Sequence, residues 1–272
     1  MVTFFLKSGR EYNRFAFMRI LLSLILISFL HTGFLFAQDV EDFIADKNYT
    51  SAFLIAPAYS FQFPLGDMQK RFGFNSNIGG TLTYQFLNRW HVGLEGGFLF
   101  GTRVKENTIL DSLSTATDGR FINSRDNSLV NLSLQERGWN FKILAGKTII
   151  LSKKQNALNH SGILILTGIG FLEHKISIDV REEVLPQLNK TYRKGYDRLT
   201  NGFVISQFIG GIFLKHKKWF AIYGGVQADV AFTKNRRPWN FDTYSADTHN
   251  RIDAFIGIKV GWIIPVFRKK QQ

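Results

Sequence analysis

Arg251-Ile252-Asp253-Ala254-Phe255-Ile256-Gly257-Ile258-Lys259-Val260-Gly261-Trp262-Ile263-Ile264 is the stretch on which the reading of the whole sequence turns. Side chains of an extended strand alternate between two faces. Ile252, Ala254, Ile256, Ile258, Val260, Trp262 and Ile264 fall on one face, and Arg251, Asp253, Gly257, Lys259 and Gly261 on the other. One side of this strand suits hydrocarbon. The other holds charge and has glycines where neighbours need room.

The same alternation recurs upstream. Strands are predicted at about 51–63 (Phe53, Ile55, Pro57, Tyr59, Phe61 and Phe63 on one face), 77–87, 90–103, 138–151 and 219–232. Two further strands, about 162–176 and 202–214, are apolar on both faces, and their facing cannot be assigned from the pattern. Alternation alone also suits a soluble sandwich. The connections separate the two readings. Those at 88–89, 152–161 and 215–218 are short, whereas those at 64–76, 104–137, 177–201 and 233–250 are long and polar, so long and short alternate. Membrane barrels have short turns at one end and long loops at the other. The expected fold is all-β: an eight-stranded antiparallel up-and-down transmembrane β-barrel over 51–267.

Charges within the strands sharpen this. Glu95, Lys142, Asp229, Asp253 and Lys259 lie opposite the apolar rows. A basic residue facing lipid at mid-bilayer costs about 2–4 kcal/mol. An eight-stranded barrel has an interior just wide enough to be filled by side chains. These residues, with Arg251, are therefore expected to form a paired lumen network, Glu95, Asp229 and Asp253 against Lys142, Lys259 and Arg251. Tyr59, Tyr84, Trp90, Trp139, Trp219 and Trp262 are expected at the membrane interfaces, where amphipathic rings are favoured.

The N-terminus points to export. Met18-Arg19 precedes the apolar run from Ile20 to Leu30, and Phe34-Leu35-Phe36-Ala37 precedes polar Gln38-Asp39. A positive start, a short apolar core and a small residue before a polar stretch mark a secretory signal peptide over 1–37, with Met18 as an alternative start. A spanning helix is the rival reading of this run. Residues 38–50 then form a short periplasmic segment, and 268–272 a basic tail. The address is a bacterial outer membrane. The absence of cysteine excludes disulfides, thiolate metal sites and lipidation on cysteine. With 27 Phe and 24 Gly the composition is that of a β-rich chain. The net charge of +13 is scattered through turns and loops and forms no helical stripe, which speaks against nucleic acid.

Phe36-Ala37-Gln38, Phe63-Pro64-Leu65-Gly66-Asp67-Met68 with Arg71-Phe72-Gly73, and Lys259-Val260-Gly261-Trp262-Ile263-Ile264-Pro265 carry a resemblance. The chain resembles the small outer-membrane barrels of Bacteroidota, PorT-like and OmpX/OmpA-like. The resemblance covers the mature chain and implies an architecture and an address, without an activity. It also implies that the last strand is read by the barrel-assembly machinery during insertion. The chain departs from the usual ending, because Phe267 is followed by Arg268-Lys269-Lys270-Gln271-Gln272.

Catalytic signatures are scarce. The histidines lack metal-ligand spacing, and neither a GxSxG elbow nor a phosphate-binding loop occurs. His174 with Ser177 and Asp179, and His249 with Asp247 and Asp253, make a triad only if folding assembles one. The long loops place cations beside rings: Arg193 and Lys194 beside Tyr192, and Arg236 and Arg237 beside Trp239. Such groups suit anionic sugars or phosphates. Outer-membrane lipid and lipopolysaccharide are the expected partners. The leading functional reading is a structural or interaction barrel with a filled lumen, not an enzyme, and without cofactor or metal. A narrow channel or porin is the alternative, and a membrane-embedded hydrolase or acyltransferase ranks behind both.

Overall fold

Strand follows strand as the alternation requires, and the last returns to the first. In the computed structural model, residues 51–113, 121–122, 129–130, 132–150, 161–179, 188–213 and 221–267 are described. The signal segment, residues 38–50, Trp219 and the tail lie outside them. The strands are β1 (Ala52–Gly66), β2 (Asn75–Gln85), β3 (Trp90–Gly101), β4 (Ser133–Ile149), β5 (Gly162–Asp179), β6 (Thr200–Phe213), β7 (Ala221–Asn235) and β8 (Asn250–Phe267). Each pairs antiparallel with the next, and β8 pairs with β1, so the sheet closes. A sandwich is excluded by that closure. Outside the barrel are a four-residue helix, α1 (Met68–Arg71), a 3-10 turn (Asn107–Leu113), a second short helix, α2 (Lys190–Arg193), and a ribbon pairing Phe121–Ile122 with Leu129–Val130. Among the described residues no helix is long and apolar enough to cross a membrane.

The outer wall is the apolar face of every strand. Ile78, Ile143 and Ile258 are 55 %, 54 % and 61 % exposed, and Phe53, Leu82, Phe98, Phe141, Phe203 and Val226 accompany them around the ring. A contiguous apolar belt of this kind has no place in water, whereas hydrocarbon accepts it. The closed ladder also leaves no strand edge unpaired within the belt, the second condition for crossing lipid.

The lumen is packed in layers. Toward the end where β1 begins and β8 stops, Leu54, Leu144, Leu164, Leu166, Phe208, Ile212, Tyr223 and Ile263 form an apolar cluster. Toward the long loops, Met68, Phe72, Leu99, Ile109, Leu110, Leu172, Ile176 and Leu188 form another. Between them lie the charges. This layering explains why β5 and β6 are apolar on both faces. Leu164, Leu166, Leu172, Val204, Phe208 and Ile212 face inward into the two clusters, while Ile169, Phe203 and Ile209 face out. Gly261 makes room in the lower cluster, since a Cβ there would lie 2.2 Å from the Tyr223 ring.

Two sequence-based boundaries need correction. Pro64-Leu65-Gly66 belongs to β1 and not to the first loop. Pairing with β2 stops at Gln62↔Asn75, while Pro64↔Phe255, Leu65↔Ala254 and Gly66↔Asp253 continue on the β8 side. Pro64 thus occupies an edge position, where its missing N–H is tolerated. The first loop is then only 67–74, shorter than the turn 150–161 at the opposite end, so connection lengths do not alternate strictly.

Gly66 turns β1 into α1 with φ of 64°. A Cβ there would lie 2.4 Å from the Ile252 carbonyl oxygen. Gly66→Ala is expected to destabilise the barrel by about 1–3 kcal/mol, read as a lower urea midpoint of the refolded protein. An unchanged midpoint would show that the turn relaxes freely.

Candidate functional site

The middle of the lumen is a buried ionic quartet. Glu95 from β3 faces Lys142 from β4 directly across the strand pair. Lys142 Nζ lies 3.0 Å from Glu95 Oε1 and, across the lumen, 3.1 Å from Asp229 Oδ2 on β7. Lys259 on β8 reaches Glu95 Oε2 at 2.5 Å. Gln227 donates to Asp229 at 3.0 Å and to Ser206 Oγ at 3.3 Å. Lys142 is 1 % exposed. Such burial is tolerable only because each charge meets an opposite one with hydrogen bonds.

A second polar cluster sits nearer the long loops. His174 Nε2 lies 2.9 Å from Asp253 Oδ2, and Thr233 Oγ1 donates to the same oxygen at 2.5 Å. Arg71, at the end of α1, points down into the barrel. It lies 3.5 Å from both Asp253 oxygens and donates to Thr200 Oγ1 at 3.1 Å. Phe72 covers the cluster edge-on to the His174 ring. Nearby, Asn75 donates to the buried Glu136 carboxylate at 2.9 Å. The first loop is therefore a plug. Asp67 fastens it to β8 by Asp67 N–H to the Ile252 carbonyl at 2.9 Å and Ile252 N–H to Asp67 Oδ2 at 3.0 Å. Phe72↔Val104 and the Gly73 N–H to Arg103 carbonyl bond tie it to the following loop.

The lumen residues proposed from sequence thus divide in two. Glu95, Lys142, Asp229 and Lys259 meet one another. Asp253 does not join them and pairs with Arg71 and His174 instead. Arg251 is a correction. It lies at the mouth end of β8 and its guanidinium turns to Asp247 in the last loop. Arg71, His174, Glu136 and Gln227 were missed. Arg71 and Glu136 fell in segments read as loops, and His174 fell in a strand whose facing had no periodic signal.

The described aromatic residues of this set point outward. Tyr59 lies midway along β1 and not near a strand end, its hydroxyl 2.8 Å from Ser76 Oγ. Trp139 donates its indole N–H to Glu173 at 3.1 Å, Trp90 lies under Lys147 Nζ, Tyr84 packs on Phe53 and Phe86, and Trp262 is half exposed on β8.

Loop cations are largely committed to internal bonds. Arg237 pairs with Asp197 at 2.5 Å, and Arg193 donates to the Leu188 and Ile178 carbonyls. Arg198 bridges Asp242 and Glu106. Arg236 donates to Asn201, whereas Lys194 and Trp239 stand exposed. Neither sequence triad assembles. His174 faces inward, while Ser177 and Asp179 lie on the opposite face of β5. His249 meets Asp247 at 3.3 Å, but Asp253 is engaged by His174. Among the described residues no group of three metal-ligating side chains converges.

No family model matches the sequence, and no curated protein matches it. Among solved structures, the chain is similar to Ail, the attachment invasion locus protein of Yersinia pestis, crystallised with the heparin analogue sucrose octasulfate. The identity is 11 %, coverage is 79 % of this chain and 99 % of that one, and the TM-score is 0.37. It is also similar to Neisserial surface protein A, at 6 % identity, 77 % and 96 % coverage and TM-score 0.38. The outer membrane protein OprG from Pseudomonas aeruginosa follows at 9 % identity, 80 % and 97 % coverage and TM-score 0.31. At these scores the barrel rests on its own strand pairing and not on the likeness.

Two outcomes follow from the site. Lys142→Met strands Asp229, while Glu95 keeps Lys259, and is expected to cost about 3–5 kcal/mol in urea unfolding, with partial recovery when Asp229→Asn is added. At the mouth, burial raises the Asp247 carboxyl, but Arg251 and the His249 N–H outweigh it and hold it at about 2. Its folded value lies below the unfolded one, so the Asp247–Arg251 contact stabilises the fold above the ordinary carboxylate range and is lost as pH falls through about 2. An NMR titration of Asp247 with a midpoint near the ordinary value would refute this.

Proposed function

We propose that the protein is a non-conducting barrel of the bacterial outer membrane, with a structural or interaction role carried by its long loops. The lumen carries this reading. An apolar layer fills each end, the ionic quartet spans the middle, and the first loop folds in over Asp253 and His174. Such packing speaks against a continuous water path. The same packing speaks against the hydrolase reading, because His174 and Asp253 are both 0 % exposed.

The apolar belt and closed ladder support a membrane address, and the export signal read at 1–37 supports the outer membrane in particular. Placement among PorT-like barrels of Bacteroidota rests on the motifs at 36–38, 63–68, 71–73 and 259–265 alone. The closing strand β8 would be the element read by the assembly machinery. The loops offer exposed Tyr192, Trp239 and Tyr244 to a partner at the cell surface. Arg193 and Arg237, which the sequence suggested as anion contacts, are spent on internal bonds.

The purified barrel is expected to migrate differently in SDS gels before and after boiling, and to give no steady conductance in a planar bilayer. A discrete single-channel step from the inserted protein would overturn the sealed reading in favour of a narrow channel.

A further inference from the structure

Directly above the apolar belt, one side of the outer wall is cationic. Trp139, Phe171, Phe203 and Phe232 end the belt on β4, β5, β6 and β7. Toward the long loops, the same outward rows carry Arg137 one step on along β4, Glu173 and then Lys175 on β5, and Lys234 one step on along β7, with Arg236 just beyond. The register makes this one patch. Arg137 lies opposite Lys175, and Asn201 lies opposite both Glu173 and Lys234. Flanking the patch, the outward partners of Arg137 and Lys234 are the uncharged Phe100 and Asn250, Ser76 follows Phe100 on β2, and beyond Ser76 a single arginine, Arg103, stacks on Phe74.

The patch sets four cations against one carboxylate. Like charges directly opposite in an antiparallel pair repel, and Arg137 and Lys175 are such a pair. Glu173, the one carboxylate in the patch, already accepts from Trp139 Nε1 and Asn201 Nδ2. Arg137 donates to the Gln135 side chain and the Glu136 carbonyl, and Arg236 to Asn201. Among the described residues, none of the four cations forms an ion pair with a carboxylate. Arg137, Lys175 and Lys234 spring from the outward rows of the strands, and Arg236 stands just past the end of β7. Long basic side chains so placed can lay their stems along apolar surface and keep the charge in the polar layer.

We propose that Arg137, Lys175, Lys234 and Arg236 form a seat for the phosphate-bearing headgroups of lipid in the leaflet on the long-loop side. The proposal rests on the membrane reading above. It names the loop-side ends of β4, β5 and β7, and not the loop tips, as the lipid-recognising surface. Arginine fits phosphate oxygens through parallel N–H bonds, and lysine contributes a point charge. A phosphate between Arg137 and Lys175 converts a repulsive cross-strand pair into a bridged one.

The test places the refolded barrel in nanodiscs of phosphatidylcholine doped with bisphosphorylated lipid A, and measures retained lipid by native mass spectrometry. Each cation near an anionic lipid surface contributes roughly a fivefold factor. With incomplete additivity, lipid A is expected to be enriched on the order of tenfold over its bulk fraction. Lipid A stripped of phosphate should show no enrichment. The variant Arg137→Gln/Lys175→Gln/Lys234→Gln/Arg236→Gln should lose the enrichment, whereas the loop variant Lys190→Gln/Lys194→Gln keeps it. Should the fourfold variant fail to fold, Lys175→Gln/Lys234→Gln alone should lose most of it. Equal enrichment in the wall variants, or none in an inserted wild-type barrel, overturns the seat. Displacement by millimolar inorganic phosphate would mark a free-anion site and overturn it too. A protein that shows no boiling shift and enters no nanodisc would sink the membrane reading, and the seat with it.

Discussion

The pairing of β8 with β1 is the constraint on which the rest of the structure depends. A sheet that closes on itself has an inside and an outside, and every strand must assign its two faces accordingly. Ile55↔Ile264 and Tyr59↔Val260 stand on the seam with their side chains outward, while Ser60↔Lys259 and Gln62↔Gly257 turn inward. Pro57 interrupts the ladder locally, because its nitrogen has no hydrogen to donate, yet the seam resumes at Ala58↔Gly261 and runs on to Gly66. Closure tolerates this one gap because strong pairing flanks it.

Once the ring is closed, its interior is too narrow for bulk water and must be filled by side chains. The chain does this with apolar residues at both ends and polar ones between. Leucine, isoleucine and phenylalanine at the ends exclude water from the quartet, which strengthens the attraction within it and makes any missing partner costly. The first loop completes the filling from above. Met68 and Phe72 bring apolar bulk, and Arg71 brings the charge that Asp253 lacks from neighbouring strands.

Much of this was legible in the sequence. β8 announced itself because its faces meet lipid and a charged lumen, so alternation was sharp. β5 and β6 were opaque for the opposite reason: their inward residues enter the apolar layers, so both faces look alike. Glu95, Lys142, Asp229 and Lys259 were found because a charge in a strand has one affordable direction. Asp253 was found but placed in one network with the quartet and Arg251, whereas it pairs with Arg71 and His174. Arg251 is close in sequence, yet a lumen residue meets what lies across the ring, and neither Arg71 nor His174 has a spacing that reveals the crossing. Pro64 and Gly66 looked like a turn by composition, and only the one-sided pairing above Gln62 shows how a strand accommodates them.

The quartet also has a mechanical meaning. Lys142 to Asp229 joins β4 to β7, and Lys259 to Glu95 joins β8 to β3, each contact spanning the ring and not merely adjacent strands. They act as two spokes of a wheel. A cylinder held only at its rim flattens under lateral pressure, whereas one with spokes keeps a round section. The bilayer squeezes continually and unevenly, and these ionic struts let the wall transmit that load through the interior. A stiff cylinder is a steady mount for whatever its loops hold out to the exterior.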